Sequence, residues 1–189
     1  MAFQTPGRGS ERDPNPLGAL FELAEAHRLA GRYEAALVEF SKAIELNPAD
    51  LQAISGRGRT YRSLGRYDQA LKDFDRAIEI NPGLAWLVAN RGETHRLGGR
   101  YQVALVDFSR AIELDPNYSW AIGGRGRTYG SLGRYDEALK DFDRAIEINP
   151  GLAWLVAGRG ETHRLAGRYE AAIADFTRAI ELEDRKSVV

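Results

Sequence analysis

At 189 residues the chain has room for one ordinary domain or one short repeat array. Hydrophobic residues at 43% and charged residues at 28% are too rich for a disordered tail, and 26 Lys+Arg against 27 Asp+Glu argues against a nucleic-acid groove or a polybasic membrane anchor. The absence of cysteine removes disulfides, thiolate nucleophiles and thiolate metal sites, and three histidines are all that remain for acid–base or metal chemistry, so composition leans away from catalysis.

The chain begins MAFQTPGRGSERDPNP, residues 1–16, with three prolines, two glycines and no apolar run. This reads as a disordered N-terminal segment without a secretory signal, and no stretch approaches the roughly 20 apolar residues of a spanning helix. A cytoplasmic protein without membrane contact is the expectation. Asn117-Tyr118-Ser119 matches a glycosylation sequon but, with no export signal, reads as a turn. Residues 187–189, Ser-Val-Val, form a short C-terminal tail.

From Leu17 onward the sequence repeats. Asn47-Pro48, Asn81-Pro82, Asp115-Pro116 and Asn149-Pro150 recur every 34 residues. Tyr33, Tyr67, Tyr101, Tyr135 and Tyr169 each follow Gly-Arg, and alanine precedes phenylalanine by four residues in Ala36/Phe40, Ala70/Phe74, Ala104/Phe108, Ala138/Phe142 and Ala172/Phe176. A spacing of four puts both side chains on one helical face. Gly-Arg-Tyr interrupts each unit in the middle, and proline ends it because it cannot continue a helix. Each unit is therefore two antiparallel helices, A and B, of about 12–14 residues at 34 residues per period. Five units fit, at about 17–50, 51–84, 85–118, 119–152 and 153–186.

These residues resemble the tetratricopeptide repeat family, whose period is 34 residues. The matching residues are the helix-A glycines Gly58, Gly92, Gly126 and Gly160, the alanine–phenylalanine pair of helix B and the terminal proline. The resemblance implies an all-α, right-handed superhelical solenoid of five antiparallel hairpins, with A helices lining a concave wall. The glycine should let helix A approach helix B, and the phenylalanine should fill the space between hairpins. The chain departs from the family where the helix-A tryptophan is Ile54, Val88, Ile122 and Val156, and where its leucine survives only as Leu23 and becomes Arg57, Arg91, Arg125 and Arg159. Repeat 1 has Ala24 in place of the glycine.

A second period of 68 residues overlies the first: Ser55–Leu114 and Gly123–Leu182 share 50 of 60 positions. Differences such as Gln69 against Glu137 and Asn90 against Gly158 read as drift after duplication. One helix-A column alternates Glu25, Arg59, Glu93, Arg127, Glu161; another runs His27, Tyr61, His95, Tyr129, His163.

The histidines lie two repeats apart, about 20 Å at helix-packing distance, too far to share a metal whose ligands sit near ~2 Å. They replace tyrosine in a packing column and read as packing residues. Gly123-Gly124-Arg125-Gly126 follows no strand and lies inside a helix, so nucleotide binding is not expected. Arg57, Arg91, Arg125 and Arg159 each precede an aspartate by sixteen residues (Asp73, Asp107, Asp141, Asp175), a separation that can bring them face to face across a hairpin. A solvated charge and a ligand contact are the rival readings for these arginines.

Function is then expected in the groove. Trp86, Trp120 and Trp154 form a helix-A column on a face that, the resemblance implies, commonly supplies ligand contacts; the rings could instead seal repeat junctions. The family's carboxylate clamp for chaperone tails needs a lysine/asparagine set on the groove. Here those positions hold mainly Phe21, Glu22, Ser55, Gly56, Ala89, Gly123, Gly124, Ala157 and Gly158, and only Asn90 matches. The leading expectation is a non-catalytic interaction scaffold with no cofactor and no metal. It would bind a protein or peptide through Trp86, Trp120, Trp154 and Asn90, with Arg59, Glu93, Arg127 and Glu161 setting register. Nucleic acid is not expected, because glutamates interleave the arginines. The alternative is head-to-tail self-association through the last helix, where Ile173 and Ile180 should remain exposed.

Overall fold

A computed structural model of the chain describes residues 16–187, which form ten α-helices and no strand. Hairpin 1 pairs α1 (Pro16–Leu29) with α2 (Tyr33–Leu46), and hairpin 2 pairs α3 (Leu51–Ser63) with α4 (Tyr67–Ile80). Hairpin 3 is α5 (Ala85–Leu97) with α6 (Tyr101–Leu114), hairpin 4 is α7 (Ser119–Ser131) with α8 (Tyr135–Ile148), and hairpin 5 is α9 (Ala153–Leu165) with α10 (Tyr169–Ser187). This is the all-α solenoid of five antiparallel hairpins expected from the period.

The punctuation works as the residue types dictate. The turn glycine between A and B adopts a left-handed conformation in every hairpin, with φ between 70° and 74°. In hairpin 2 the Arg66 amide then reaches back to the Tyr61 carbonyl (2.9 Å) and Gly65 to Arg62 (3.0 Å), closing α3 with the six-to-one bond of a Schellman motif. At the end of helix B the Asn or Asp before proline leaves the helix. The Asn81 side chain accepts from the Gly83 amide (3.1 Å) and Asp115 from Asn117 (3.0 Å), so a side chain holds the turn that proline starts. Asp50 caps α3 by accepting from the amides of Gln52 and Ala53.

Packing follows the repeat. Phe40, Phe74, Phe108 and Phe142 are fully buried, as are Ala36, Ala70, Ala104 and Ala138. A Cβ on Gly126 would lie 3.3 Å from both the Ala138 carbonyl and the Phe142 ring, so glycine is what permits α7 to sit this close to α8. The arginine–aspartate pairs form in all four hairpins that carry them. Arg57 grips Asp73 in a two-pronged bridge (2.7 and 2.9 Å), as do Arg91 and Asp107 (2.6 and 3.0 Å). Arg125 and Asp141 (both 2.8 Å) and Arg159 and Asp175 (2.6 and 2.8 Å) repeat the geometry. The third guanidinium nitrogen reaches the preceding helix B: Ser41, Asp75, Ser109 and Asp143 in turn. Each arginine thus ties its own hairpin and the one before it. Donating to the aspartate carboxylates raises these guanidinium pKa values further above an already basic range. In hairpin 1, where Leu23 replaces the arginine, Glu39 pairs with Lys42 instead (2.9 Å).

Contacts between helices link only neighbouring hairpins. Among the described residues, A helices approach each other closely across hairpins (α1 with α3, through α7 with α9), whereas no two B helices come as near. The A helices therefore line the inner, shorter wall and the B helices splay on the outer one. No helix among the described residues is long and apolar enough to cross a membrane.

The ends differ slightly from expectation. α1 starts at Pro16, one residue before the expected boundary, because the first helical position tolerates proline. The expectation of disorder for the preceding residues lies outside the described residues. α10 runs to Ser187, about one residue past the expected end of the fifth unit near 186, with Arg185 within 3.9 Å of Glu181 one turn earlier. At this end the packing is uncovered. Leu37, Leu71, Leu105 and Leu139 are no more than 9% exposed, but Ile173 at the same repeat position is 66% exposed. Ile44, Ile112 and Ile146 are no more than 8% exposed, and Ile180 is 63% exposed.

Candidate functional site

The inner wall is built from side chains that α1, α3, α5, α7 and α9 turn away from their B helices. The alternating column is not a row of free charges. Arg59 donates to Glu25 (3.0 Å), and Arg127 stands 3.6 Å from Glu93. A second column, one turn further along each helix, was not singled out from the sequence. Arg28, Arg62, Arg96 and Arg164 occupy it, with Gly130 at the fourth position. Arg28 binds back onto Glu25 (2.7 Å), Arg96 onto Glu93 (2.8 Å) and Arg164 onto Glu161 (2.6 Å), each within its own helix. The signal was available, since these arginines also recur at the repeat period; what it could not show is that they compete with any partner for the glutamates.

Glu93 is the most enclosed of these carboxylates, at 7% exposure. Burial pushes its pKa up, but the Arg96 hydrogen bonds and the charges of Arg127, Arg96 and Arg62 outweigh burial and hold it below the usual carboxylate range. The pKa values of Arg59 and Arg127 are lowered as well, chiefly by desolvation, which here disfavours the charged form, and their Nε atoms are buried without a hydrogen-bond partner.

In repeat 2 the ladder residue is Arg59, so Arg62 has no glutamate in its own helix to bind. It crosses to hairpin 3 instead, donating to the Asn90 side chain (2.9 Å) and carbonyl (3.2 Å), with its guanidinium 5.9 Å from the Phe74 ring centroid. Asn90 is fixed for this by its own bond to the Trp86 carbonyl (2.7 Å). Repeat 4 has the same ladder residue, Arg127, but Gly130 stands where Arg62 stood and Gly158 where Asn90 stood. The result is a hollow of about 310 Å³ bordered by Arg96, Arg127, Gly130, Gly158 and Glu161, with Phe142 among its lining.

The three tryptophans are half-buried. Trp120 stacks on Tyr118 (6.1 Å between centroids) and meets Phe108 of the preceding hairpin edge-on (6.2 Å). Trp86 packs against the buried cluster of hairpins 1 and 2. Trp154 lies under the Arg127 guanidinium at 4.9 Å. Their inner edges therefore support repeat junctions, and Arg127 with Trp154 is where the structure joins the aromatic column to the charge ladder. Trp154 also lines a second, apolar hollow of about 540 Å³ with Phe176, Ala179 and Ile180 at the uncovered end.

The histidines do not gather. His27 accepts from Arg32 (2.9 Å), and His95 lies 3.9 Å from Asp107 with its Nδ1 buried and unpartnered. No cluster of His, Asp or Glu among the described residues could hold a metal ion.

An all-helical stack of like hairpins, tied by recurring bridges and lined by one helix of each pair, defines a helical-repeat solenoid. The sequence matches the family described as tetratricopeptide repeat over residues 18–50, 52–84, 119–152 and 157–185, and the chain belongs to that family. No curated protein matches it. Among solved structures, a thermophilic tetratricopeptide-repeat protein of Thermus thermophilus aligns with a TM-score of 0.78 at 23% identity, covering 91% of this chain and 97% of that one. YrrB, described as having an unusual peptide-binding site, aligns with a TM-score of 0.62 at 26% identity over 87% of this chain and 85% of its own. MamA from Desulfovibrio magneticus aligns with a TM-score of 0.72 at 17% identity, covering 91% and 97%.

Proposed function

We propose that the chain is a non-catalytic protein–protein interaction scaffold that captures a peptide or partner helix in its concave groove. The observation that carries this reading is the stacking of Arg127 on Trp154, which brings the aromatic column and the charge ladder into contact in hairpins 4 and 5. Trp86, Trp120 and Trp154 offer apolar anchors, and Asn90, Arg59, Glu93, Arg127 and Glu161 offer polar register. Tryptophan and arginine are the residues most often found at binding hot spots. The arginines at positions 28, 62, 96 and 164 add positive charge to a ladder that largely neutralises itself, so a partner with acidic residues along its length is favoured, and one of mixed sign above all. The peptide-binding site ascribed to YrrB, on a similar fold, supports a peptide as the ligand. The test is Trp120→Ala against a partner captured from native lysate: binding should weaken by about 2 kcal/mol or more with helicity nearly intact. An array that unfolds would make the rings junction seals. Unchanged binding would put the ligand elsewhere.

The uncovered end favours a second reading, head-to-tail self-association. Ile173 sits at a position that all four preceding hairpins bury, and Ile180, which lines the apolar hollow of Trp154 and Phe176, at one that three of the four bury, Ile78 being partly buried. Light scattering should show mass rising with concentration, and Ile180→Lys should abolish the rise. A monomer at millimolar concentration would end this reading.

A further inference from the structure

The hollow beside Gly130 and Gly158 has a filled counterpart in the same molecule. Shifted by 68 residues, its walls are those around Arg62: Arg96 matches Arg28, Arg127 matches Arg59, Glu161 matches Glu93 and Phe142 matches Phe74. The backbone acceptor is also kept between the two copies. Thr94 donates to the Asn90 carbonyl at 2.8 Å, and Thr162 donates to the Gly158 carbonyl at 2.8 Å. What the second copy lacks is the occupant, a guanidinium near Phe74 hydrogen-bonded to residue 90. A Cβ on Gly130 would meet nothing nearer than the Thr162 hydroxyl at 3.8 Å, so the space the Arg62 side chain uses is free here.

Resting on the groove reading above, we infer that this hollow is a subsite for an arginine side chain of the bound partner. The partner's guanidinium takes the place of Arg62: it lies near Phe142, donates to the Gly158 carbonyl and faces Glu161. That Arg127 and Arg96 border the site does not forbid a cation, because Arg62 is held beside Arg59 in the other copy. The planar guanidinium is favoured over an ammonium because it can lie near a ring and donate in its plane at the same time. Glu161, 48% exposed and bonded only to Arg164, is the more available of the two equivalent glutamates; Glu93 is 9% exposed at its side chain.

The test uses N-acetyl-arginine methylamide titrated into the ¹⁵N-labelled full chain. Saturable shifts should appear at the amides of Gly130, Gly158 and Glu161, and not at Arg62, Asn90 and Glu93. The lysine analogue should bind several-fold more weakly, and the glutamate analogue should leave these amides unmoved. Gly130→Arg should abolish the titration by supplying the occupant from within, while Gly130→Ala should keep it. Arg62→Gly opens the first copy and should add a second set of shifts around residues 62 and 90, an arm that decides the matter if Gly130→Arg does not fold. No shifts into the tens of millimolar, equal shifts with the glutamate analogue, or an unchanged titration in folded Gly130→Arg would each overturn the inference. If the probe binds as described but no captured partner depends on Trp120, the groove reading alone falls. If a partner depends on Trp120 and the probe leaves Gly130 and Gly158 unmoved, this inference alone falls.

Discussion

Hairpins 2–3 and hairpins 4–5 are two copies of one 68-residue unit, alike at 50 of 60 positions, yet one has a filled groove and the other an open one. What holds each hairpin together is duplicated almost without change. The Arg57–Asp73 bridge (2.7 Å) reappears as Arg125–Asp141 (2.8 Å), and the Thr60 hydroxyl bond to the Gly56 carbonyl (2.8 Å) reappears between Thr128 and Gly124 (2.8 Å). Ten positions differ, and six of them (Gln69, Gln102, Val103, Leu105, Val106 and Ser109 with their counterparts) lie in B helices, but two, Arg62 against Gly130 and Asn90 against Gly158, change the inner wall. A second difference lies at the end: hairpin 3 is covered by a following A helix and hairpin 5 is not. The bridge residues and the helix-B phenylalanines are thus identical in the two copies, while this pair on the groove wall is not.

The sharpest way to break the comparison is to remove the same ring from a covered and an uncovered hairpin. Phe142 is fully buried between hairpins, and Phe142→Ala should cost about 3–5 kcal/mol of stability. Phe176 at the uncovered end is only half-buried, and Phe176→Ala should cost about half as much. Chemical denaturation of both variants checks this; equal losses would mean that hairpin 5 is packed as completely as the interior.

The bridges should behave identically in the two copies. Arg125→Ala leaves Asp141, 9% exposed, without its partner and should cost about 3 kcal/mol. Arg57→Ala should match it, since Asp73 is equally enclosed and Ser41 takes the place of Ser109. A double-mutant cycle of Arg125→Ala with Asp141→Ala should show coupling of about 1–3 kcal/mol. Coupling indistinguishable from zero would reduce the bridge to a surface pair.

The fold was legible because its determinants are periodic. Phenylalanine, alanine, the helix-A glycine and the Gly-Arg turn each recur at one spacing, and that spacing leaves a single way to stack hairpins. The bridges were legible for the same reason, a constant sixteen-residue separation inside one hairpin. The groove was legible only in part. Trp154 and Arg127 do meet, but the glutamates of the ladder are already bound by Arg28, Arg96 and Arg164, a choice among side-chain directions that no column discloses. Asn90 against Gly158 reads as drift in sequence because its partner, Arg62, is 28 residues away in another hairpin. Only the contact shows that the two changes belong together, and that losing both leaves a hollow rather than a flaw.

The smallest expected effect separates hairpin 3 from the rest through His95. Burial disfavours its charged form, Asp107 at 3.9 Å opposes that, and Arg91 and Arg100 reinforce it, so the pKa in the folded chain lies below the ordinary histidine value. The unfolded chain, with the ordinary value near ~6.5, therefore binds this proton more readily than the folded one. As pH falls below that value the unfolded state gains protons first, and stability declines until the folded pKa is reached, where the contribution levels off. Above the unfolded value the contribution is complete. Glu93 adds a decline in a lower, separate window: its depressed pKa gives stability that is present above the ordinary carboxylate value and lost as pH falls through the folded one. His95→Gln removes the upper decline alone, so its urea midpoint should vary less than that of the wild type on the acid side of pH ~6.5 and follow it unchanged on the basic side. A stability that instead rises as the wild-type chain is acidified through this window would mean that Asp107 wins over burial, and that the histidine is held charged in the bridge rather than neutral beside it.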